Sequence, residues 1–570
     1  MITRQYASRV SNILSYAIML GGAITVLLSA YLVVVSYSSC PHLDGWSQID
    51  FAANEGTQFT LDWLWRQQNQ HRFVIPKLFL LADLHWFHAT QVFLLTSIFT
   101  IQLLHLSLLC WSLRLLGEWK GNLWRTGAGL AAFCLFCPSQ WENFTWGFQT
   151  TFVLPAMFAT ASFIGLLLYW RGGGGDECSR NRWKYLLLSI LAAFGATYSL
   201  SNGNLLWPLL LLAALVLRLP VAATLSYLIA GIASTALYLN NYTVYPGNAK
   251  SAATPIALFK YVAVYFGSSW IPKSIRLGEV AGCLGFVIAV PILFSLPSYI
   301  RNRRPLAIQL VLTIMFCLGT GLITAMGRLG YGLAQAFSSR YQIFALLFWC
   351  CIGLILLEYV SLTPMLRSRR LLLMQAVLLM VMVFAAIFSP TPIRDARLLG
   401  FQLNAASVAL MTDVPDEGQL YWTDTRPEYV RSLVPYMRKE KLSFFSGVLP
   451  LLLGRRLDGT FDLSAPGECT GEVQSVTVIA DAGVQITGWA WDSKRRHAPA
   501  AIVATTDGII TGLGVFGGWR PAVRERHPEV TTNYTGFLGY IRSAGSGSVK
   551  VYVVLDGKPQ SACFLAKVKL

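Results

Sequence analysis

The chain has 570 residues, of which 54% are hydrophobic and 13% are charged, and its formal net charge is +17. Soluble domains carry roughly 25% charged residues, so the composition excludes an ordinary water-soluble protein over the whole length. Residues 1–389 hold 11 acidic and 25 basic residues, whereas residues 390–570 hold 17 and 20. We therefore predict a membrane body followed by a soluble region. The basic residues form no stripe interleaved with stacking aromatics, which argues against nucleic acid as a partner.

Eleven apolar runs follow one another in the first 389 residues. Each is interpreted as a transmembrane helix, because a crossing needs about 20 mostly apolar residues. The first run is longer than the apolar core of a cleaved signal peptide, so we predict that it is retained as a helix. The runs lie near 12–36, 87–113, 126–138, 150–170, 185–200, 204–218, 221–240, 279–299, 306–326, 341–358 and 371–389. The predicted fold class is therefore a polytopic α-helical membrane protein with about eleven transmembrane helices.

The basic residues in the connections predict the orientation of these helices. The short connections on one side hold 16 basic residues, and the longer connections on the other side hold nine. An excess of Lys and Arg in short loops is typical of the cytoplasmic side. We therefore expect the N-terminus in the cytoplasm and the C-terminal region outside.

The soluble region divides in two. Residues 390–465 contain amphipathic helical stretches and are predicted to be a helical linker, whereas residues 466–570 alternate Val, Ile and Thr with turn residues and are predicted to form a β-sandwich. Cys469 and Cys563 lie near opposite ends of this β region. They form either a disulfide, which an extracytoplasmic compartment permits and which stabilises by roughly 4 kcal/mol, or two free thiols.

The connection after the first run, with its return to the membrane, contains nearly half of the acidic residues of the membrane body. Five of the 11 are Asp44, Asp50, Glu55, Asp62 and Asp83, and the same stretch carries indoles and the segment Asn69–Lys77. Long connections with such content are more often functional than not. The alternative is a solvated interfacial loop with a tryptophan belt.

Two further polar clusters are predicted to lie on the same side as this loop. The first is Pro138–Gln149, in which Glu142 is the one charged residue. The second comprises Gly327–Gly332 and Ser338–Tyr341, and it places Arg340 at the mouth of the tenth run. A charge at membrane depth is costly and so marks a functional site. The alternative for Arg340 is an arginine that extends to the lipid headgroups.

These residue types suit group transfer from a lipid-linked phosphate. A carboxylate accepts the proton of the acceptor hydroxyl, and cations stabilise the departing phosphate. We predict Asp44 as this base, with Asp50 as its rival. The predicted phosphate-binding residues are His71, Arg72, Lys77, Arg340 and Tyr341, and the predicted substrate-binding residues are Trp46, Glu142, Trp146 and Gln149.

Residues 1–390 resemble the GT-C class of polyprenyl-phosphate-dependent glycosyltransferases. The resemblance lies in the acidic first external loop, the pair Arg340-Tyr341, and the stretches Asn69–Arg72 and Gln140–Gln149. It implies a bacterial inner-membrane enzyme, with its C-terminal region in the periplasm, that transfers a sugar with inversion from a polyprenyl phosphate to a cell-surface glycan such as lipopolysaccharide. Many members have two adjacent acidic residues, whereas Gly45 follows Asp44 here. The need for a divalent cation is therefore left open.

The C-terminal segment resembles a β module of bacterial glycan enzymes. The matching residues are Gly488–Asp492, Trp519–Val523 and Gly536-Phe537. Trp489 and Trp491 either stack on a sugar or belong to the core, and two residues on one face of a strand favour the core.

Two other functions remain open from the sequence. A transporter of a lipid-linked glycan would show paired half-sequences, and none is apparent. A transferase of another group would need an activated hydroxyl or a metal-ligand cluster. His85 and His88 stand three apart on a predicted helix without a third ligand, so no metal site is predicted.

Overall fold

The computed structural model describes most of the chain as two compact units. The described residues are 2–56, 60–172, 182–244, 254–271, 274–361, 367–463, 469–479, 482–542, 548–555 and 561–569. Unit 1 comprises Met1–Leu32, Thr60–Phe79 and Leu95–Ile393, and unit 2 comprises Val33–Phe59, Leu80–Leu94 and Arg394–Leu570. Each unit is described by itself.

Helices dominate residues 2–439. In chain order they are α1 (Ile2–Val35), α2 (Ser47–Glu55), α3 (Leu61–Trp65), α4 (Val74–Phe87), α5 (Val92–Leu115), α6 (Gly121–Leu135), α7 (Trp141–Thr145), α8 (Thr150–Arg171), α9 (Trp183–Thr197), α10 (Leu206–Val216), α11 (Val221–Leu239), α12 (Pro255–Gly267), α13 (Ile275–Phe294), α14 (Leu296–Arg301), α15 (Pro305–Arg328), α16 (Gln342–Ser361), α17 (Arg367–Phe388), α18 (Pro390–Met411), α19 (Glu417–Leu420) and α20 (Pro427–Lys439). A short helix, α21 (Pro521–Arg526), lies among the strands.

Eight helical stretches of the described chain are long and apolar enough to cross a membrane, which is compatible with a multi-pass membrane protein. They are Ala7–Val35, Val92–Leu115, Gly147–Arg171, Val221–Leu239, Ile275–Phe294, Pro305–Tyr331, Ser339–Val360 and Arg369–Met411. Three shorter apolar helices accompany them: Trp183–Thr197, Ser201–Val216 and Pro255–Gly267. The predicted number of eleven crossings is therefore not confirmed. The predicted run 126–138 falls on the 15-residue α6, which is shorter than the roughly 20 residues of a full crossing.

Glycines allow the helices of unit 1 to pack closely. A Cβ added to Gly267 of α12 would lie 1.8 Å from the carbonyl oxygen of Gly278 in α13, and one added to Gly282 would lie 1.8 Å from that of Ala263. Small residues let helix backbones approach, as they do in helix pairs within membranes. The α12–α13 contact therefore depends on the absence of side chains at these two positions.

The C-terminal strands form a single antiparallel sheet. They are β1 (Cys469–Ile479), β2 (Gly483–Asp492), β3 (Ala501–Thr506), β4 (Ile509–Gly518), β5 (Gly536–Arg542), β6 (Ser548–Leu555) and β7 (Ser561–Lys569). Their order is β1-β2-β5-β4-β3-β6-β7. A disulfide joins Cys469 of β1 to Cys563 of β7, with 6.2 Å between their Cα atoms. The sheet is therefore almost closed into a barrel, and the two packed sheets of the predicted sandwich are not confirmed.

The inner strands of this sheet bury side chains on both faces, whereas the edge strand β1 is largely exposed. Ile486, Ile502 and Val551 belong to a cluster of strand residues, whereas Val503 and Tyr540 pack in a second cluster that includes residues of α18 and α20. Alternation along a strand sends successive side chains to opposite faces. The sheet and these helices thus share one hydrophobic core within unit 2.

Candidate functional site

Several connections of unit 1 meet at one end of its helices. Phe73 packs edge-on against Phe148, with ring centroids 5.3 Å apart. Ser201 contacts His71, and Glu142 accepts a hydrogen bond from Ser339. The segments 60–73, 138–149 and 329–341, which carry most of the predicted phosphate- and substrate-binding residues, therefore lie together. We call this region the polar end of unit 1.

Glu142 holds the turn that carries Arg340. Its Oε2 accepts hydrogen bonds from Ser338 Oγ (3.3 Å), Ser339 Oγ (2.8 Å) and the backbone N–H of Arg340 (3.0 Å). Its Oε1 lies 3.8 Å from Nη1 of Arg340, and the two side chains are 17% and 19% exposed. Asn143 also donates to the carbonyl of Arg340. Three hydrogen bonds thus converge on Oε2 and an ion pair forms at Oε1, which suits a positioning role better than that of a base.

Aromatic rings connect Arg340 with His71. The guanidinium of Arg340 lies 5.9 Å from the ring centroid of Trp146, and Trp146 stacks with Phe148 at 5.9 Å. Phe73 contacts Phe148, and its ring lies 5.0 Å from that of His71. The polar end therefore combines a cation with flat apolar surfaces, and such faces attract cations and sugars alike.

His71 is a neutral hydrogen-bonding group. Burial of the ring and the nearby cation of Arg328 lower the pKa of His71 to about 3. Ser201 donates its backbone N–H to Nδ1 at 3.4 Å, so the proton of the neutral ring lies on Nε2. His71 can therefore donate one hydrogen bond to an anion without itself carrying charge.

Gln149 of the polar end and Tyr261 of α12 carry buried polar groups for which no hydrogen-bond partner is found among the described residues. In Gln149 these are both atoms of the amide, and in Tyr261 the hydroxyl. Arg328 and Arg340 both act electrostatically on Tyr261, and Tyr261 lies on α12, which packs against Tyr341 through Tyr265. Buried polar groups are normally hydrogen-bonded. The unpaired hydroxyl of Tyr261, on which two arginines act, indicates a place for a ligand that carries hydrogen-bond acceptors.

Arg72 and Lys77 are bound by the protein itself. Arg72 is 3% exposed and donates to the carbonyls of Tyr238, Trp65 and Asn240. Lys77 donates to two carbonyls, and its pKa is lowered to about 8, first by burial and then by neighbouring arginines. These contacts favour structural roles, and the geometry gives no support to phosphate binding by either residue.

The predicted bases belong to unit 2. Asp44 lies in a short 3₁₀ helix, Leu43–Trp46, and Asp50 follows in α2. Burial is the main cause that raises the pKa of Tyr429, and the negative charges of Asp50 and, more weakly, Asp44 raise it further. The Oδ1 of Asp50 also accepts from Asn54 at 2.8 Å. Unit 2 therefore brings the two candidate bases to the same tyrosine.

Trp46 and Asp83 occupy the interior of unit 2. Trp46 is 1% exposed and packs in its core with residues of α18 and α20, so the geometry does not support the predicted substrate contact. Asp83 is fully buried. Burial raises its pKa to about 7, opposed by hydrogen bonds from Gln91 and Gln48.

No protein family, curated protein or solved structure matches this chain significantly. Within the described ranges, no group of three or more His, Cys, Asp or Glu side chains is arranged to hold a metal ion.

The structure adds Arg328 and Tyr261 to the predicted residues. Arg328 ends α15, and Tyr261 is a buried residue of the short helix α12. In the sequence, the charge of Arg328 beside a glycine-rich turn could have indicated a site residue. Tyr261 gave no such signal, because one hydroxyl in an apolar helix is usual.

Proposed function

We propose that this chain is an inner-membrane glycosyltransferase of the GT-C class, which moves a sugar from a polyprenyl phosphate to a cell-surface glycan. The observation that carries the proposal is the polar end of unit 1. There, Arg328 and Arg340 both act electrostatically on the unpaired hydroxyl of Tyr261, and Arg328 also acts on the neutral ring of His71, at the end of helices apolar enough to lie in lipid. A ligand with a phosphate head and a prenyl tail needs this combination.

The charges suit a phosphate that carries one or two negative charges. Arg328 and Arg340 supply two positive charges, and Glu142 offsets one of them at 3.8 Å from Arg340. A single cation about 4 Å from an anion contributes about 4 kcal/mol at an effective dielectric constant of about 20. Tyr261 and the Nε2 of His71 would donate neutral hydrogen bonds. Their fixed positions would stabilise the charge that grows on the phosphate as it departs.

The proposed reaction is one displacement at the anomeric carbon. The acceptor hydroxyl loses its proton to a carboxylate, and its oxygen forms the new bond to the anomeric carbon. The bond from that carbon to the phosphate oxygen breaks, and polyprenyl phosphate leaves with the electron pair. Asp44 remains the predicted base and Asp50 its rival. This single displacement inverts the configuration.

The proposal also includes the number of membrane crossings and the orientation of the chain in the membrane. The chain would cross the membrane about eleven times, if the shorter apolar helices also span it, with the N-terminus cytoplasmic. The polar end of unit 1 and the C-terminal β region would then face the periplasm. The excess of basic residues in the other connections supports this orientation. The β region, predicted as a sandwich, would serve as an accessory glycan module.

A transfer assay with the purified full-length protein tests the proposal. Polyprenyl phosphates carrying different sugars are offered with lipopolysaccharide acceptors, and release of polyprenyl phosphate is measured. We expect one donor to react, and Arg340→Ala and Asp44→Asn to lower its turnover at least 100-fold. Asp458→Asn is the matched control, because its exposed carboxylate pairs with Arg456 on the surface and lies outside the proposed site.

Two results would contradict the proposal. One is the absence of transfer from every polyprenyl-phosphate sugar in the presence of added divalent cations. The other is movement of an intact lipid-linked glycan across vesicles without cleavage of the sugar–phosphate bond, which would indicate a transporter. Full activity of both Asp44→Asn and Asp50→Asn would remove only the assignment of the base.

A further inference from the structure

Unit 2 contains a cavity of about 310 Å³ that the residues discussed so far do not line. It lies between the chain that follows α1, the middle of α18 and the segment 443–449. Small-molecule sites have volumes of about 300–1,000 Å³. The cavity is therefore large enough for a single small ligand and too small for a long chain.

Three hydroxyl groups of the lining already donate their protons within the protein. Tyr37 donates to the carbonyl of Thr90, Ser407 to that of Leu403, and Ser446 to that of Ser443. A hydroxyl that donates its one proton keeps its lone pairs as acceptors. These three groups thus present hydrogen-bond acceptors, which suits a ligand that carries several donors.

The electrostatics exclude an anionic ligand. The described residues that line the cavity include no Asp, Glu, Lys, Arg or His. A phosphate or carboxylate would therefore meet lone pairs without a compensating cation, and burial of an unpaired charge is costly. The same lining leaves no carboxylate to pair with an ammonium group.

The remaining wall is apolar. Val408, Met411, Phe444, Leu449 and Val515 contribute to it. A pyranose ring has hydroxyl groups around its edge and C–H groups on its face. The cavity offers acceptors for the hydroxyl groups and an apolar surface for the face.

We propose that this cavity binds one uncharged sugar residue of the acceptor glycan. This inference rests on the proposed transferase function and extends it, because it assigns the acceptor to the class of neutral glycans. The site would hold the acceptor through hydroxyl donors and take no part in binding the lipid phosphate.

The test measures sugar binding to the purified full-length protein in the absence of any donor. Saturation-transfer NMR is recorded with neutral methyl glycosides of glucose, galactose and mannose, and with glucuronate and glucosamine as charged comparisons. We expect one or more neutral glycosides to bind and the charged sugars to bind at least tenfold more weakly.

Two variants block the cavity from its exposed rim. Ser446→Trp and Val448→Trp replace lining residues that are exposed at the surface, so both are expected to fold, and each should weaken glycoside binding at least tenfold. Ser432→Trp is the matched control. Ser432 is also exposed and makes the same kind of bond to a carbonyl three residues earlier, on α20, and it does not line the cavity. Its affinity for the glycoside should be unchanged.

Three outcomes would overturn the inference. They are no saturable binding of any neutral glycoside, equal binding by both cavity variants and the control, and preferential binding of glucuronate or glucosamine. Because binding is measured without transfer, a failed transfer assay would refute the proposed function and leave this result standing.

Discussion

Replacement of Glu142 by Gln is the perturbation whose effect follows most directly from the geometry. Gln keeps an oxygen that can accept the bonds from Ser338, Ser339 and the N–H of Arg340, so the turn should still form. What is lost is the negative charge 3.8 Å from Arg340 and the strength that it gives to those bonds. Hydrogen bonds to a charged group are roughly twice as strong as neutral ones.

The size of the effect can be worked from these contacts. Two charges 3.8 Å apart interact by about 4 kcal/mol at an effective dielectric constant of about 20. Both side chains are close to one-fifth exposed, so solvent reduces this value. We expect Glu142→Gln to weaken the stabilisation of the transition state by about 1.4–2.8 kcal/mol, which corresponds to a fall of about 10- to 100-fold in kcat/KM.

The assay is transfer from the polyprenyl-phosphate sugar at saturating acceptor, with Glu118→Gln as the control. Glu118 also pairs with an arginine, Arg171 at 2.7 Å, but its side chain is 71% exposed. Such surface pairs contribute little, so the control should stay within about twofold of the native rate. Native activity of Glu142→Gln beside an inactive Arg340→Ala would refute the positioning role. A pH–rate profile that loses its acidic limb would instead indicate that Glu142 is a base.

Three further predictions concern stability. The pKa of Asp83 is raised to about 7 from 3.8. The stability that its protonated form contributes is therefore complete below about pH 4 and is lost as the pH rises through 7. Asp83→Asn should flatten the dependence of the unfolding temperature on pH, and an unchanged slope would contradict this prediction. The disulfide Cys469–Cys563 closes a loop with a sequence separation of 94. Cys469→Ser should therefore lower the free energy of unfolding of the β region by roughly 4 kcal/mol and make the region sensitive to protease. Unaltered resistance to protease would argue against this contribution. Arg72→Gln should destabilise unit 1 by roughly 3 kcal/mol, because it leaves carbonyls unpaired. A variant of native stability that binds the phosphate more weakly would instead show that Arg72 is a phosphate ligand.

Hydropathy predicted the helical body, whereas the predicted number of crossings is not confirmed. Long runs such as 306–326 correspond to a long apolar helix, Pro305–Tyr331. The 13-residue helix Pro255–Gly267 was not among the predicted runs. It packs through glycine contacts against the next helix, α13, and such contacts between two helices leave no hydropathy pattern within either one.

The residue types of the site were predictable, whereas their roles were not. The sequence around a buried arginine looks the same whether its side chain binds a ligand or, as in Arg72, the carbonyls of Tyr238 and Asn240. Likewise, alternation predicted the strands of the β region, but closure depends on the pairing of β1 with β7 by a disulfide. Roles and closure both depend on partners far away in the sequence.

The central claim is that the polar end of unit 1 binds the phosphate of a polyprenyl carrier. A structure of the full-length protein with a bound polyprenyl phosphate tests it most directly. We predict that the phosphate lies within hydrogen-bonding distance of Arg328, Arg340 and Tyr261, with the prenyl chain along the apolar helices. A phosphate bound at a different surface, with these three side chains untouched, would contradict the claim.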